Sequence, residues 1–273
     1  GWILAQDTGD AQKKAVDFFR IAADNNSSYG QYLLGKAFYN GNGVPKNFQE
    51  AVKWYRKSAD QNNSDALLEL GNIFMNGQGT HIDYSAAWNY YKKSAELGNI
   101  LAEGNVALML AQGLGCDKNY ITAFEINRKI ADKNPTAMNN LALMYLHGWG
   151  VEKDSIIALD LCQKAAHRGE YAAYNTLGTI YEKGLGVDVD KRKAMQFFLA
   201  ASERLPSAQF NYGLMMLKPE GGFQNQQQGA EWILKSAKSG YLKAMRFAAM
   251  LYLYGKGMPQ DIDESYAWFK TFE

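Results

Sequence analysis

The sequence predicts an all-α fold, an α/α superhelical solenoid of about seven helix–turn–helix repeats preceded by an N-terminal half repeat. Three observations predict it. A G-x-G turn recurs every 35 or 36 residues, a short polar residue follows six residues after the start of each turn, and apolar residues recur at helical spacing. A fixed period of this length is typical of stacked helical pairs.

The stretch 141–170 shows the unit clearly. Leu141 and Met144 mark the apolar face of a first helix. Gly148 is expected to end that helix, because glycine adopts the positive φ of a helix C-cap at little cost. Asp154 stands where its side-chain oxygen can cap the second helix.

The same register holds along the chain. The first turn position is held by Gly41, Gly77, Gly113, Gly148, Gly184, Pro219 and Gly255. The second glycine is always present, as Gly43, Gly79, Gly115, Gly150, Gly186, Gly221 and Gly257. The predicted caps of the second helices are Asn47, Asp83, Asn119, Asp154, Asp190, Asn225 and Asp261. The predicted core ladder of the second helices is Phe18, Trp54, Tyr90, Ile126, Leu161, Phe197, Trp232 and Trp268.

These units resemble Sel1-like repeats, which are related to the tetratricopeptide repeat. The clearest copies read LGKAFYNGNGVPKNFQEAVKWYRKSA at 34–59 and LGTIYEKGLGVDVDKRKAMQFFLAAS at 177–202. The resemblance covers about residues 10–273. It implies an interaction scaffold or adaptor that binds a protein or peptide on its concave surface, and it does not imply an enzyme.

The domain organisation follows from the register. We predict an N-terminal segment with a capping helix at 1–26 and a repeat array at 27–273. The repeats are expected at about 27–62, 63–98, 99–133, 134–169, 170–204, 205–240 and 241–273. A start without methionine indicates a cleaved signal segment or an expression boundary. At Glu273 we expect the natural protein to continue, or a partner to cover the end.

The composition excludes several classes of function. The net charge of +1 gives no electrostatic case for nucleic acid or an anionic membrane. No apolar run approaches the ~20 residues that a membrane-spanning helix needs. Cys116 and Cys162 are expected to be free thiols, although a single disulfide stays open. We favour a monomer, and the bacterial periplasm or cell envelope over the cytoplasm.

No motif for chemistry stands out. The histidines His81, His147 and His167 lack metal-ligand spacing, and no phosphate-binding or nucleophile motif occurs. The paired aspartates around Asp190 and Asp261 are explained as helix caps. We therefore expect no catalytic residue, no cofactor and no metal site.

Two repeats depart from the pattern. The third carries Asn127 where the other repeats carry a large apolar residue or cysteine, and a polar residue there weakens the core unless it finds a partner. The sixth has an irregular, glutamine-rich turn at 218–228. Both features are interpreted either as tolerated drift or as local adaptation for a hinge or a contact.

The resemblance to tetratricopeptide repeats implies that first-helix positions around one small residue line the concave groove. The small residues are Gly35, Gly71, Ala107, Ala142, Gly178, Gly213 and Ala249. The predicted partner-binding residues are Tyr32, Lys36, Tyr39, Leu68, Asn72, Met75, Leu108, Asn139, Leu143, Leu146, His147, Asn175, Thr179, Glu182, Phe210, Leu214, Leu217, Arg246 and Met250. The asparagines among them are expected to hydrogen-bond a partner's backbone. The alternative is that these side chains are core between neighbouring first helices.

Three functions compete at this point. The first is a scaffold or adaptor for a protein or peptide partner. The second is a bacterial periplasmic immunity protein that neutralises a secreted effector toxin, or an envelope regulator. The third, a hydrolase acting on glycan or lipid, has the least support.

Overall fold

The computed structural model describes residues 9–218 and 225–271. All regular structure in these residues is α-helical, which confirms the predicted fold class. The helices are α1 (Gly9–Asp24), α2 (Ser28–Asn40), α3 (Phe48–Asp60), α4 (Ser64–Asn76), α5 (Tyr84–Glu96), α6 (Ile100–Gln112), α7 (Tyr120–Ile130), α8 (Pro135–His147), α9 (Ser155–His167), α10 (Tyr171–Lys183), α11 (Lys191–Ser202), α12 (Pro206–Leu217), α13 (Gln226–Lys238), α14 (Leu242–Tyr254) and α15 (Ile262–Lys270). The predictions for residues 1–8, for Pro219 and Gly221 in the sixth turn, and for 272–273 lie outside the described residues.

The chain divides into two compact units, Gly1–Asn134 with α1–α7 and Pro135–Glu273 with α8–α15. Within each unit every helix packs on the helix before it and the helix after it. The even-numbered helices are the first helices of the repeats and the odd-numbered helices are the second helices. Neither type can bury its apolar face alone, so each repeat depends on its neighbours.

The predicted helix ends are confirmed. All seven predicted caps accept a hydrogen bond from a backbone N–H in the first turn of their second helix. In the first of these, Asn47 Oδ1 accepts from the Glu50 N–H at 3.1 Å. Gly41 ends α2 with φ 77°, the left-handed conformation that favours glycine.

Glycine is needed at the second position of the turn for a different physical reason. A Cβ on Gly115 would lie 2.2 Å from the carbonyl oxygen of Tyr84, at the start of the preceding second helix. In the other unit a Cβ on Gly257 would lie 2.2 Å from the carbonyl oxygen of Gln226. In these two repeats the turn rests directly on the backbone of the preceding repeat, and only glycine leaves room for this contact.

The predicted core ladder is wrong by one residue. Trp54 and Trp232 are only partly buried, and Phe18 is 56% exposed. The column at 0–3% exposure is the next residue of six second helices, namely Tyr55, Tyr91, Asn127, Cys162, Phe198 and Ile233, whereas at the two ends Phe19 is partly exposed and Phe269 is 39% exposed. Adjacent helical residues point about 100° apart, so a shift of one position moves a side chain from the core to its edge.

The buried column packs against the small residue of the first helix. A Cβ added to Gly178 would lie 2.5 Å from the ring of Phe198, and one added to Gly71 would lie 2.5 Å from the ring of Tyr91. Glycine thus lets a large ring lie against the first-helix backbone. The same contact joins Gly35 to Tyr55 and Gly213 to Ile233. By sequence register the equivalent pairs are Ala107 with Asn127, Ala142 with Cys162, and Ala249 with Phe269.

The polar core position of the third repeat has a partner. Asn127 is 2% exposed, and its Nδ2 donates to the Ala123 carbonyl oxygen at 2.9 Å. This local hydrogen bond offsets part of the cost of burying the amide.

Two neighbouring phenylalanines of α11 test the buried column. Phe198→Ala should lower the free energy of unfolding by about 3–5 kcal/mol, because it leaves a cavity against Gly178. Phe197→Ala should cost clearly less, because that ring is partly exposed and lies against Tyr181. Urea unfolding of the two variants measures both losses. Equal losses would contradict the assignment of the buried column.

Candidate binding surface on the first helices

The residue after each small residue of the first helices is at least partly open to solvent, although Leu214 among them also packs on the core cluster that contains Phe210 and Ile233. These residues, all partly or fully exposed, are Lys36, Asn72 and Leu108 in the N-terminal unit and Leu143, Thr179, Leu214 and Met250 in the C-terminal unit. The small residue faces its own second helix, so the residue about 100° further round the helix cannot be covered by it. We call these seven side chains the outward column.

One turn after the small residue of the first helix, most of the predicted side chains are also partly exposed. Tyr39, Met75, Leu146 and Glu182 are partly exposed there, whereas Leu217 is buried at 4% exposure.

One turn before the small residue of the first helix, most of the predicted side chains are buried. Tyr32, Leu68, Asn139 and Phe210 have exposures of 3–9%, whereas Asn175 is partly exposed and Arg246 is exposed. The buried residues support the outward column from beneath and offer little side-chain area to a partner.

Asparagines in the C-terminal unit join neighbouring first helices. Asn139 Oδ1 accepts a hydrogen bond from Thr176 Oγ1 at 2.9 Å, and Asn175 Oδ1 accepts one from Asn211 Nδ2 at 2.9 Å. The predicted contact of these amide oxygens with a partner's backbone would therefore compete with bonds that already hold the fold together.

Charged residues of the C-terminal unit line a cavity of about 190 Å³ formed by Glu182, Lys183, Lys191, Met215 and Lys218. Lys218 Nζ lies 3.3 Å from Glu182 Oε1. The surface there is cationic around one neutralised carboxylate.

The N-terminal unit places a polar chain beside the outward column. Tyr91 OH donates to Asn72 Oδ1 at 2.8 Å, and Asn72 Nδ2 donates to Glu69 Oε2 at 3.2 Å. Asn72 is among the residues predicted from the sequence, whereas Glu69 and Tyr91 are not. A signal for Glu69 exists, because the equivalent first-helix positions hold no other acid: Leu33, Asn105, Asn140, Thr176, Asn211 and Phe247.

His147 ends α8 and is exposed, and its ring stacks on Trp149 with centroids 4.5 Å apart. Across the described residues, no group of three or more histidine, cysteine or carboxylate side chains is placed to hold a metal ion.

Cys116 and Cys162 are both free. Burial raises the pKa of the Cys162 thiol to about 12. Burial, and then the charge of Asp117, raise the pKa of the partly exposed Cys116 thiol.

The sequence profile of the Sel1 repeat matches residues 8–27, 28–63, 64–99, 100–134, 135–170, 172–204, 206–241 and 242–271. The chain belongs to the Sel1 repeat family. Sel1 repeats form non-catalytic scaffolds that typically mediate protein–protein interaction. Within the described residues, no helix of this Sel1 repeat protein is long and apolar enough to cross a membrane.

Solved structures show the same fold. A Sel1 repeat protein from Oxalobacter formigenes is 27% identical, with a TM-score of 0.62 over 97% of this chain and 78% of that one. A protective antigen of uropathogenic Escherichia coli is 26% identical, with a TM-score of 0.62 over 95% of this chain and 64% of that one. An immunity protein from Pseudomonas aeruginosa, at 18% identity and a TM-score of 0.57 over 76% of this chain and 81% of that one, shares the fold alone.

One characterised relative matches over a shorter stretch. A negative regulator of exopolysaccharide production from Rhizobium leguminosarum bv. viciae is 32% identical over 75 residues. The match covers 26% of this Sel1 repeat chain and 28% of the relative, so the chain spans a minor part of that protein's length.

The two cysteines should differ in reactivity. At pH 8 a thiol-specific reagent should modify Cys116 in the folded protein while Cys162 stays protected, because Cys162 is 0% exposed and a raised thiol pKa lowers its thiolate fraction. Denaturant should release the second equivalent. Counting modified thiols by mass spectrometry measures this, and fast modification of Cys162 in the native protein would contradict its placement.

Proposed function

We propose that this protein is an interaction scaffold that holds a protein or peptide partner against the exposed faces of its first helices. The observation that carries the proposal is the outward column, whose seven side chains are at least partly exposed on successive first helices. Membership of the Sel1 repeat family supports it.

The chemistry of the outward column suits a protein partner. Leu108 and Met250 are 37% and 40% exposed, and they are apolar side chains open to solvent. Lys36, Asn72 and Thr179 add hydrogen-bonding groups of different kinds between them. Apolar contacts with interspersed polar groups are typical of protein interfaces.

Two narrower roles differ in what the partner is. The match to the Rhizobium leguminosarum regulator favours a role in the negative regulation of exopolysaccharide production. An immunity role would require a toxin as partner, and a location in the bacterial periplasm suits either role. Deleting the gene should raise exopolysaccharide output under the first role, and should sensitise cells to a neighbour's toxin under the second.

Position-specific cross-linking tests the proposed surface. A photo-reactive side chain at Lys36 or Met250 should cross-link to the partner in cells. The same group at the second-helix positions Lys53 or Ile156, which are also exposed, should not. Mass spectrometry of the cross-linked products identifies the partner and the contact position.

Affinity measurements with that partner give the second readout. Met250→Glu should weaken binding about tenfold or more, because it places a charge in a desolvated contact. Ile156→Glu, the control, should change affinity less than about twofold. Cross-links and affinity losses that favour the second helices would reject the proposed surface.

A further inference from the structure

Two tyrosines of the N-terminal unit reach past glycine toward the outward column. The rings of Tyr55 and Tyr91 lie so close to Gly35 and Gly71 that an added Cβ would approach them to 2.8 and 2.5 Å. The hydroxyl of Tyr91 donates to the outward residue of its own repeat, Asn72, at 2.8 Å.

The equivalent hydroxyl in the preceding repeat, that of Tyr55, has no such acceptor. Lys36 stands 36 residues before Asn72, at the position where Tyr55 would need an acceptor. A lysine ammonium offers donors and no acceptor. Tyr55 is 0% exposed, and no described residue hydrogen-bonds its hydroxyl. Leaving a buried hydroxyl unsatisfied is costly, which suggests that something outside the fold completes it.

A carboxylate without a cation lies beside these tyrosines. Glu69 is partly buried, and its Oε2 accepts a hydrogen bond from Asn72 Nδ2 at 3.2 Å. Among the described residues no lysine, arginine or histidine forms an ion pair with it. By contrast, Glu103 in the same unit pairs with Lys129 at 2.7 Å.

Glu69 stands 37 residues after Tyr32, and the equivalent pair in the C-terminal unit, Asn139 and Thr176, is hydrogen-bonded through its side chains at 2.9 Å. Burial, and then the negative charge of Glu69, raise the pKa of Tyr32 to about 12. The same two causes raise the pKa values of Tyr55 and Tyr91. The register of the repeats thus places the Glu69 side chain beside Tyr32, and its charge agrees in sign with these raised pKa values.

The rings of the neighbouring tyrosines lie close to one another. The ring centroids of Tyr29 and Tyr32 are 6.0 Å apart, and those of Tyr32 and Tyr55 are 5.9 Å apart. Lys36 Nζ lies 5.7 Å from the centroid of the Tyr32 ring. Tyr29 is 54% exposed, so the cluster opens to solvent at this ring. Aromatic faces attract cations, and the contact strengthens when the cation is desolvated.

We infer that the cluster of Tyr29, Tyr32, Tyr55 and Glu69 binds a cationic side chain, arginine or lysine, of a protein partner. This inference rests on the proposed scaffold function. The ligand's N–H groups donate to the Glu69 carboxylate and to the Tyr55 hydroxyl oxygen while its flat or methylene part lies on the tyrosine rings. An anionic group would be repelled by Glu69, and an apolar group would leave the Tyr55 hydroxyl without a bond.

Titration with small probes tests the inference without a known partner. The full chain, labelled with ¹³C in its tyrosine rings, is titrated with N-acetyl-arginine methylamide, its lysine analogue and the neutral isostere N-acetyl-citrulline methylamide. The two cationic probes should shift the Tyr32 and Tyr55 signals saturably, and citrulline should not. Glu69→Gln should abolish the shifts, whereas the matched control Glu103→Gln should leave them unchanged.

Two further variants separate binding from folding. Tyr55→Phe should keep or raise the melting temperature, because it removes an unsatisfied buried hydroxyl, and should weaken probe binding severalfold. Lys36→Gln should strengthen binding, because it removes a competing charge.

The inference is overturned if citrulline binds as well as arginine, if no tyrosine signal moves, or if Glu69→Gln binds the probes like the wild type. Because the cross-linking pattern is measured separately, a failed titration with cross-links still confined to the first helices rejects the cationic site and retains the scaffold.

Discussion

The close approach of the two helices in each repeat, at one small residue of the first helix, is the contact on which the rest of the structure depends. Where that residue is Gly71 or Gly178, a tyrosine or phenylalanine ring lies against the backbone. Where the second-helix residue is the smaller Asn127 or Cys162, the first helix carries alanine instead. In these pairs the volume lost on one helix is restored on the other, as a close-packed core requires, whereas opposite Ala249 the larger Phe269 ring is 39% exposed.

This contact also determines which side chains are open to a partner. Because the small residue faces its own second helix, the residue after it is at least partly exposed on every first helix. Packing within the repeat therefore fixes the position of the outward column and leaves the chemistry of its members free. Lys36, Asn72 and Leu108 illustrate that freedom, since a cation, an amide and an apolar side chain follow one another at equivalent positions.

Much of the fold was predictable because its signals are local. A cap such as Asn47 and a turn glycine such as Gly41 act within a few residues of their own position, so their spacing alone predicts the helix ends. The choice between Trp54 and Tyr55 as the buried residue was not local. Both are large and adjacent, and only the position of Gly35 in the neighbouring helix, against the Tyr55 ring, decides which one is covered.

The cluster of Tyr29, Tyr32, Tyr55 and Glu69 could not be predicted from the sequence, for a similar reason. Glu69 is unusual in its column, but its significance depends on Tyr55, a residue of another helix whose hydroxyl finds no acceptor in the described fold. Such a deficit appears only when side chains from three helices are placed together. The regular spacing therefore predicts the architecture of the repeats, and the proposed cationic site lies where one repeat departs from the pattern.

A double-mutant cycle at Gly178 and Phe198 tests the volume pairing most directly. Gly178→Ala, Phe198→Cys and the double variant, which copies the pair at Ala142 and Cys162, are compared by urea unfolding. The account predicts that the double variant loses less stability than the two single losses added together, by about 1 kcal/mol or more. Losses that add to within about 0.5 kcal/mol would contradict it, because independent sites behave in that way.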